Sequence, residues 1–520
     1  MKISNYEIIL PLIGSDEKEI EGKMLLVNGL YGSLDVVDKE TAENIRDGKI
    51  SDIPLAERER LALRGHITRK TVEEELADAQ LLGLIHRKIV GYSAIAPVIL
   101  PTYDCNFRCP YCFERHRLTR GQEWLGCEMK PEMVEAVFSA LKKSKEKGQR
   151  VEHISLYGGE PFLAENISTV RNICEHAKEM GLSISAVTNG YDLENYIGLL
   201  EEFKIRNLQI TVDGVGEMND KRRRHRDGHP TYEKILQNTR LALEHGVDIN
   251  LRVNVNRQNI NEIPKLIKDL DERGLNEFAS KEGDKKSEEK KTGRFSYYFK
   301  AVTEPKTSPN FVKEQEVLEK ILETVKSPSE AVKLQSQYSG PAKALTDLIK
   351  KENYPSSSTA FCGAEQGMVI IAPDGKIFSC WDLVAMDDQV VGFTDIDAGK
   401  FFFGFEKAKW RTRTSDLLEK CKTCPHIFIC RGGCASMAFI ENGDYFREGC
   451  TEHKEIFAYI APRIAGKNFE ENHEKELSIS LYGPLSRLTE DERKTIMTSK
   501  SQKEIFNILQ EAGIFISRKY

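Results

Sequence analysis

Long apolar runs are missing from the 520 residues. None approaches the roughly 18 residues that a transmembrane helix needs. The early apolar stretch Ile8 to Ile13 is interrupted by Pro11 and followed by Asp16, Glu17 and Glu19. A secretory signal needs a longer apolar core behind positive charge. Both absences read as a cytoplasmic chain with no membrane partner. An excess of one charge is missing too: 75 Lys and Arg against 81 Asp and Glu leave −6. That balance disfavours a basic protein coating nucleic acid. No internal repeat is visible. Hydrophobic residues at 40% and charged residues at 30% match a soluble globular chain. The length calls for more than one domain.

Cysteine is what the chain has in quantity, 12 in all. In a reducing compartment such thiols bind metal or do chemistry more often than they form disulfides. They are not scattered. Cys105, Cys109 and Cys112 lie together, and Cys362, Cys380, Cys421, Cys424, Cys430, Cys434 and Cys450 lie late, with Cys127 and Cys174 apart. Closely spaced thiolates suit iron–sulfur clusters or zinc. Zinc sites usually present four ligands. The early group has three, which leaves one metal position open to a substrate.

Residues 1–95 read as a small unit with strands first (Tyr6 to Ile13, Lys23 to Val27, Tyr31 to Val37) and helices after (Lys39 to Asp47, Leu55 to Leu63, Thr71 to Ile85). Thr71 with Glu74 forms a capping-box pattern. From residue 96 to 300 strands and helices alternate, which predicts a parallel sheet with crossover helices, a full or partial barrel. Strands at Val98, His153, Ser183, Asn207 and Asp248 each end in an unusual motif, where functional residues of such folds gather. Residues 276–293 are dense in charge and read as a solvated loop. Residues 301–355 read as a helical bridge, with Gly340-Pro341 separating its last two helices. Residues 356–465 are Cys-dense and read as folded around metal centres. Residues 466–520 read as a charged, weakly patterned tail.

The triplet Cys105-x3-Cys109-x2-Cys112 after a strand resembles the signature of radical S-adenosylmethionine (SAM) enzymes. The resemblance implies a [4Fe–4S] cluster on three thiolates, with the fourth iron chelating SAM. Reductive cleavage of SAM would then release a radical that takes hydrogen from unactivated carbon. Gly158-Gly159-Glu160-Pro161 resembles the segment that contacts the SAM amino group, the glycines allowing close backbone approach. Thr188-Asn189-Gly190 resembles the next SAM-lining strand end, and Thr211 and Asp213 the strand after it. Arg252 and Asn254 follow on another strand. Tyr111 stands where an aromatic residue packs near adenine. Arg222 and Arg223, within a basic run that is otherwise a solvated turn, are both candidates for the SAM carboxylate.

The late seven cysteines are similar to the SPASM domain, the auxiliary-cluster extension of that superfamily. The resemblance implies one auxiliary [4Fe–4S] cluster on Cys421, Cys424, Cys430 and Cys450. A second would sit on Cys362, Cys380 and Cys434, short of a fourth thiolate. Three [4Fe–4S] clusters are thus expected. Asp382, beside Cys380, is a candidate proton acceptor. Cys174 reads as a buried small hydrophobe, and Cys127 as a candidate for substrate handling. The first 95 residues resemble, more loosely, the winged-helix-like peptide-recognition domain of ribosomal-peptide maturases, in which a leader peptide adds a strand to a sheet edge.

Together these features imply an α/β enzyme with a partial (β/α) barrel, a small N-terminal α+β domain and a C-terminal SPASM domain. The implied reaction is hydrogen abstraction from a residue of a ribosomally made precursor peptide or protein, forming a cysteine thioether. The implied electron donor is of the flavodoxin or ferredoxin kind. The alternatives are oxidation of a Cys or Ser in a sulfatase-type protein, and a non-enzymatic iron–sulfur carrier or zinc scaffold.

Overall fold

In the computed structural model the described residues are 1–90, 94–112, 122–279, 292–349, 359–450, 452–472, 478–480 and 485–514. They divide into two compact units, one of residues 1–92, 337–365 and 411–520, the other of 93–336 and 366–410. No helix among the described residues is long and apolar enough to cross a membrane.

The unit containing residues 93–336 is a parallel sheet with crossover helices. Strands Ala96–Ile99, His153–Leu156, Ser183–Thr188, Asn207–Thr211, Asp248–Val255 and Phe295–Ala301 each pair in parallel with the next. The strand Ser183–Thr188 buries Ile184, Ala186 and Thr188 and leaves the residues between them more exposed, the period of two that a sheet requires. Helix Pro131–Glu146 buries Met133, Val134, Val137, Phe138 and Leu141, a stripe at helical spacing. Pro131 opens that helix where its missing N–H costs nothing.

Two parts of this sheet depart from the sequence pattern. Phe295–Ala301 is a further parallel strand. It follows the charge-rich stretch, of which residues 280–291 lie outside the described residues. On the other side Met368–Ile371 pairs in parallel with Ala96–Ile99, and Lys376–Phe378, Gly392–Asp395 and Lys400–Phe403 continue in antiparallel. The described residues thus form a ten-stranded, open sheet. All of Met368–Ile371 is buried, so part of the Cys-rich region extends a conventional core instead of folding only around metal.

In the other unit, strands Glu7–Ile13, Glu19–Asn28 and Ser33–Asp38 form an antiparallel meander. Helices Lys39–Arg46, Leu55–Leu63 and Val72–Val90 follow, in the expected strands-then-helices order. The capping box is present: Thr71 N–H donates to the Glu74 carboxylate at 2.8 Å and Glu74 N–H to Thr71 Oγ1 at 3.3 Å. The described residues of the tail carry more regular structure than its sequence suggested. Ser478–Ser480 adds a fourth antiparallel strand beside Ser33–Asp38. Helices Glu490–Thr498 and Gln502–Glu511 bring Ile496, Ile505 and Leu509 into one core with Leu82 and Ile85. Gly340-Pro341 does not separate two helices, because helix Ser336–Ile349 runs through it with Pro341 inside. The break falls at Gln335, which is extended. Proline there forfeits a backbone bond, and burial of Tyr338, Leu345, Leu348 and Ile349 offsets it.

Candidate functional site

The loop after Ala96–Ile99 carries the cysteine triplet. Segment 106–108 is pinned to segment 224–226: Arg108 N–H donates to Arg224 O and Arg226 N–H to Asn106 O, both at 2.7 Å. Cys112 N–H bonds Cys109 O at 3.1 Å, closing a turn that brings those two residues together. Cys105 Sγ accepts from Phe107 N–H at 3.3 Å. Burial raises the Cys105 thiol well above its ordinary range, and Cys109 and Cys112 push it the same way. Burial raises the Cys109 thiol too, so these two sulfurs would not ionise unaided, and Cys112 lies beside them. A bound cation that stabilises thiolates fits such a set. Cys127 serves the same loop through its backbone: its carbonyl accepts from Tyr103 N–H at 3.3 Å and Thr102 Oγ1 at 3.2 Å. Cys174 is fully buried in its helix.

Gly158 and Gly159 meet the cluster loop. A Cβ on Gly159 would lie 1.9 Å from Asp104 O, and Gly158 has φ +126°. The glycines are thus required by backbone packing within the protein, a tighter demand than approach to a ligand. Glu160, 2% exposed, does not face solvent. Its carboxylate accepts from Thr188 Oγ1 at 2.5 Å, Asn189 N–H at 2.6 Å and Phe162 N–H at 2.9 Å. It joins the ends of two neighbouring strands, and burial pushes it up to about 7. Pro161 is buried beside it. Asn189 Nδ2 donates to Asn106 Oδ1 at 2.6 Å and lies 3.9 Å from Cys105 Sγ. The strand-end motif at Thr188 therefore touches the cluster loop directly.

A second group surrounds Tyr111. Arg223 Nη1 donates to Tyr111 Oη at 2.9 Å, and the Arg222 guanidinium stacks 4.8 Å from the Tyr111 ring centroid. The two arginines differ in what else engages them. Arg222 donates to Asn256 Oδ1 at 2.7 Å and Asn254 O at 3.3 Å, and faces Asp213 at 3.7 Å. Arg223 donates instead to Tyr111 Oη; the Nε atoms of both arginines are buried with no hydrogen-bond partner among the described residues. Arg223 also lowers the Cys109 thiol, against the larger effect of burial. Asp213 is held by Asn254 N–H at 3.0 Å, and its own N–H donates to Asn219 Oδ1 at 2.9 Å. Thr211 is buried and stands in register with Arg252, whose Nε donates to Asn254 Oδ1 at 2.8 Å. Asn219, Asn256 and Asn259 were not foreseen. The recurrence of Asn at 254, 256 and 259 was the available signal, since buried side-chain amides secure irregular backbone. Asp382 is half-buried, and its neighbour Trp381 packs edge-on against Tyr157 at 4.6 Å, just before Gly158.

The other unit gathers Cys421, Cys424, Cys430 and Cys450. Burial pushes Cys421 up to about 12, with Cys430, Cys450 and Cys424 adding to the rise. Burial likewise raises Cys362 to about 12, with Glu365 and Cys434 as neighbours. Arg413, fully buried, organises their loops. Its Nε donates to Tyr445 O at 2.6 Å, and its Nη atoms donate to Gly433 O, Gly432 O and Arg447 O at 2.9, 3.2 and 2.7 Å, and to Glu365. All five donors of the guanidinium are used. Gly433 and Gly449 pack backbone to backbone, since a Cβ on Gly433 would lie 1.9 Å from Gly449 O. Cys380, buried, belongs to the sheet unit.

With this geometry in place, the comparisons are specific. Residues 99–270 match the Radical SAM superfamily. Fe-coproporphyrin III synthase of Methanosarcina barkeri is 24% identical over 33% of this chain, a match spanning 39% of the synthase's own length. The cysteine-type anaerobic sulfatase-maturating enzyme of Clostridium novyi is 22% identical over 64% of this chain and 85% of that enzyme. PqqA peptide cyclase of Granulibacter bethesdensis is 25% identical over 66% and 83%. The solved structure of native anSMEcpe with bound AdoMet and Cp18Cys peptide has TM-score 0.52 and 19% identity, covering 73% of this chain and 99% of that one; at that identity the likeness is one of fold. The triplet loop and the strand-end motifs lie at or within the stretch, residues 99–270, over which this chain matches the Radical SAM superfamily.

Proposed function

We propose that this chain is a radical SAM maturase that takes hydrogen from a residue of a ribosomally made precursor peptide and closes a cysteine thioether. The observation that carries the reading is the neighbouring thiols of Cys105, Cys109 and Cys112, placed at strand ends against Asn189 and Gly159. A cluster there, when bound, supplies an electron and an open iron to SAM. The chain's residues do the rest. Glu160 fixes the strand ends that frame the site. Arg222, already engaged by Asn256 and Asp213, is a positioning residue. Arg223, which donates to Tyr111 and is not tied to the asparagines that hold Arg222, is the better candidate to meet the SAM carboxylate. Thr211, Asp213 and Arg252 line the same edge, and Asp382 is the proposed proton acceptor. Cys421, Cys424, Cys430 and Cys450 would hold one auxiliary cluster, and Cys362, Cys380 and Cys434 are assigned to another. A flavodoxin- or ferredoxin-type donor would supply electrons.

A second reading, oxidation of a Cys or Ser in a protein substrate, is favoured by the similarity over 85% of the Clostridium novyi sulfatase-maturating enzyme. Mass spectrometry separates the two. A short Cys-rich peptide encoded beside this gene, co-expressed with the enzyme, is expected to lose two hydrogen atoms and become resistant to thiol alkylation. Formation of a hydrazide-reactive aldehyde would favour the second reading, and an unmodified peptide would retire the first.

A further inference from the structure

The basic run that holds Arg222 and Arg223 continues into His225-Arg226-Asp227-Gly228-His229, a stretch to which the proposed SAM chemistry gives no part. The sequence sets two imidazoles and one carboxylate at alternate positions, and the fold draws them together. Arg226 N–H donates to Asn106 O at 2.7 Å, which fixes the entry of the segment on the cluster loop. Asp220 Oδ1 accepts from Thr231 N–H and Tyr232 N–H, both at 2.8 Å, which fixes its exit. Between these anchors Gly228 N–H bonds His225 O at 3.0 Å, and Gly228 has φ +81°. The chain reverses there and brings the His229 ring within 5.3 Å of the His225 ring, centroid to centroid. Pro230 narrows the backbone freedom of His229 further. His225 is buried and packs on the Tyr191 ring at 4.7 Å, whereas Asp227 and His229 are exposed.

One ligand atom from each of His225, Asp227 and His229 lies within 4.8 Å of the other two. Around a four-coordinate ion with bonds of about 2.0–2.1 Å, such atoms stand about 3.4 Å apart. His225 Nδ1 and Asp227 Oδ2 are already at 3.8 Å. Rotation of the two exposed side chains, Asp227 and His229, closes the rest. His225 Nδ1 accepts from Asp227 N–H at 3.2 Å, at the long end of the hydrogen-bond range, and an ion would take that lone pair instead. Arg226 opposes a cation only weakly, because its guanidinium is engaged by Asp104 at 2.9 Å and Glu165 at 3.6 Å. The Asp227 carboxylate pairs with no Lys or Arg among the described residues. Two imidazoles disfavour the oxygen-seeking cations magnesium and calcium and suit a divalent transition metal. We propose that His225, Asp227 and His229 form a site for a divalent transition-metal ion of the zinc kind, separate from the cysteine sites. The ion clasps the turn and so holds residues 224–226 on the cluster loop, where Arg108 N–H also bonds Arg224 O at 2.7 Å. Its remaining coordination position is left to water.

The test uses zinc as probe on the anaerobically reconstituted full chain. Bound zinc is counted by plasma mass spectrometry after equilibrium dialysis, for the wild type, Asp227→Ala, His229→Ala and His245→Ala. His245 is the control, an exposed imidazole beside a single carboxylate, Glu201 at 2.7 Å. All four proteins keep every cysteine, so zinc held by thiols contributes equally and the differences read the turn. The wild type and His245→Ala are expected to hold about one zinc per chain more than the other two, the stoichiometry of a single site. Loss of either ligand is expected to weaken that zinc roughly tenfold or more, since even outer-shell partners act on this scale. Zinc is also expected to slow amide hydrogen exchange in residues 224–226 of the wild type and of His245→Ala alone. Equal zinc in all four proteins, an equal loss in His245→Ala, or exchange that zinc leaves unchanged would overturn the inference. Neither readout depends on SAM cleavage or on a peptide substrate, so failure here leaves the proposed function to its own experiment.

Discussion

The sheet unit and the Cys-rich unit arrange thiolates by opposite means. In the sheet unit, regular strands deliver Thr188, Asp213 and Asn254 to one edge, and the cluster loop is packed onto that edge through Gly159 and Asn189. In the other unit, Cys430 and Cys434 flank a loop in which Arg431, Gly432 and Gly433 all have positive φ. One buried guanidinium gathers that loop's carbonyls. Repetition of secondary structure builds the first site, and a single polar hub builds the second. The difference teaches that a fold with a conventional core can spare its loops for chemistry, whereas a Cys-dense region spends a buried charge on holding its backbone.

The largest expected effect separates the two units outright. Cys105→Ala is expected to abolish SAM cleavage. Cys421→Ala is expected to leave SAM cleavage intact while product formation is lost, as read by chromatography of 5′-deoxyadenosine and mass spectrometry of the peptide. Full turnover in Cys421→Ala would make the second group ornamental to the chemistry.

Arg413→Met attacks the hub. It leaves Glu365 buried without its cation and strands four carbonyls, a loss of about 3–5 kcal/mol by analogy with other broken buried pairs. Chemical denaturation is expected to show a lower midpoint, with SAM cleavage persisting under native conditions. An unchanged midpoint would mean the hub is not what holds these loops.

Arg223 and Arg222 sharpen the comparison inside the first site. Losing a charged hydrogen bond is worth about 1.5–3 kcal/mol, so Arg223→Met should weaken SAM binding roughly tenfold or more by calorimetry. Arg222→Met should lower thermal stability first. Equal effects of the two on SAM affinity would erase the distinction drawn from their partners.

The smallest effect is a pH dependence. Glu160 is raised from an ordinary 4.5 to about 7 by burial. A raised carboxyl binds its proton more tightly in the folded chain than in the unfolded one. Its contribution to stability is therefore full below about pH 4.5 and is lost as pH rises through 7. Glu160→Gln should flatten that fall in denaturation midpoint between pH 5 and 7.5. An equally steep fall in the variant would assign it to other groups.

Much of the sheet unit was legible because its signals are local. Strand ends, helix stripes and the triplet spacing sit within short windows of sequence, and the strands at His153, Ser183, Asn207 and Asp248 all formed where their patterns lie. What escaped was non-local. Nothing near Met368 says that its strand will pair with Ala96, more than two hundred residues away in sequence. The tail looked weakly patterned because its apolar residues are sparse and complete a core supplied by Val72–Val90. Arg413 and the buried asparagines were invisible for a related reason: a polar residue reveals itself as a hub only when the carbonyls around it are in place. Gly159 was noticed for the right feature, but its partner is a carbonyl of the cluster loop.

The central claim, a SAM-binding cluster on the early cysteine triplet and auxiliary clusters on the seven late cysteines, is tested most directly by iron content. Anaerobically reconstituted wild-type chain should hold about three [4Fe–4S] clusters, as its ten grouped thiolates allow. Cys105→Ala and Cys421→Ala should each hold about one cluster fewer, with SAM cleavage lost only in the first. Zinc in place of iron, or the same iron content in all three proteins, would contradict the account.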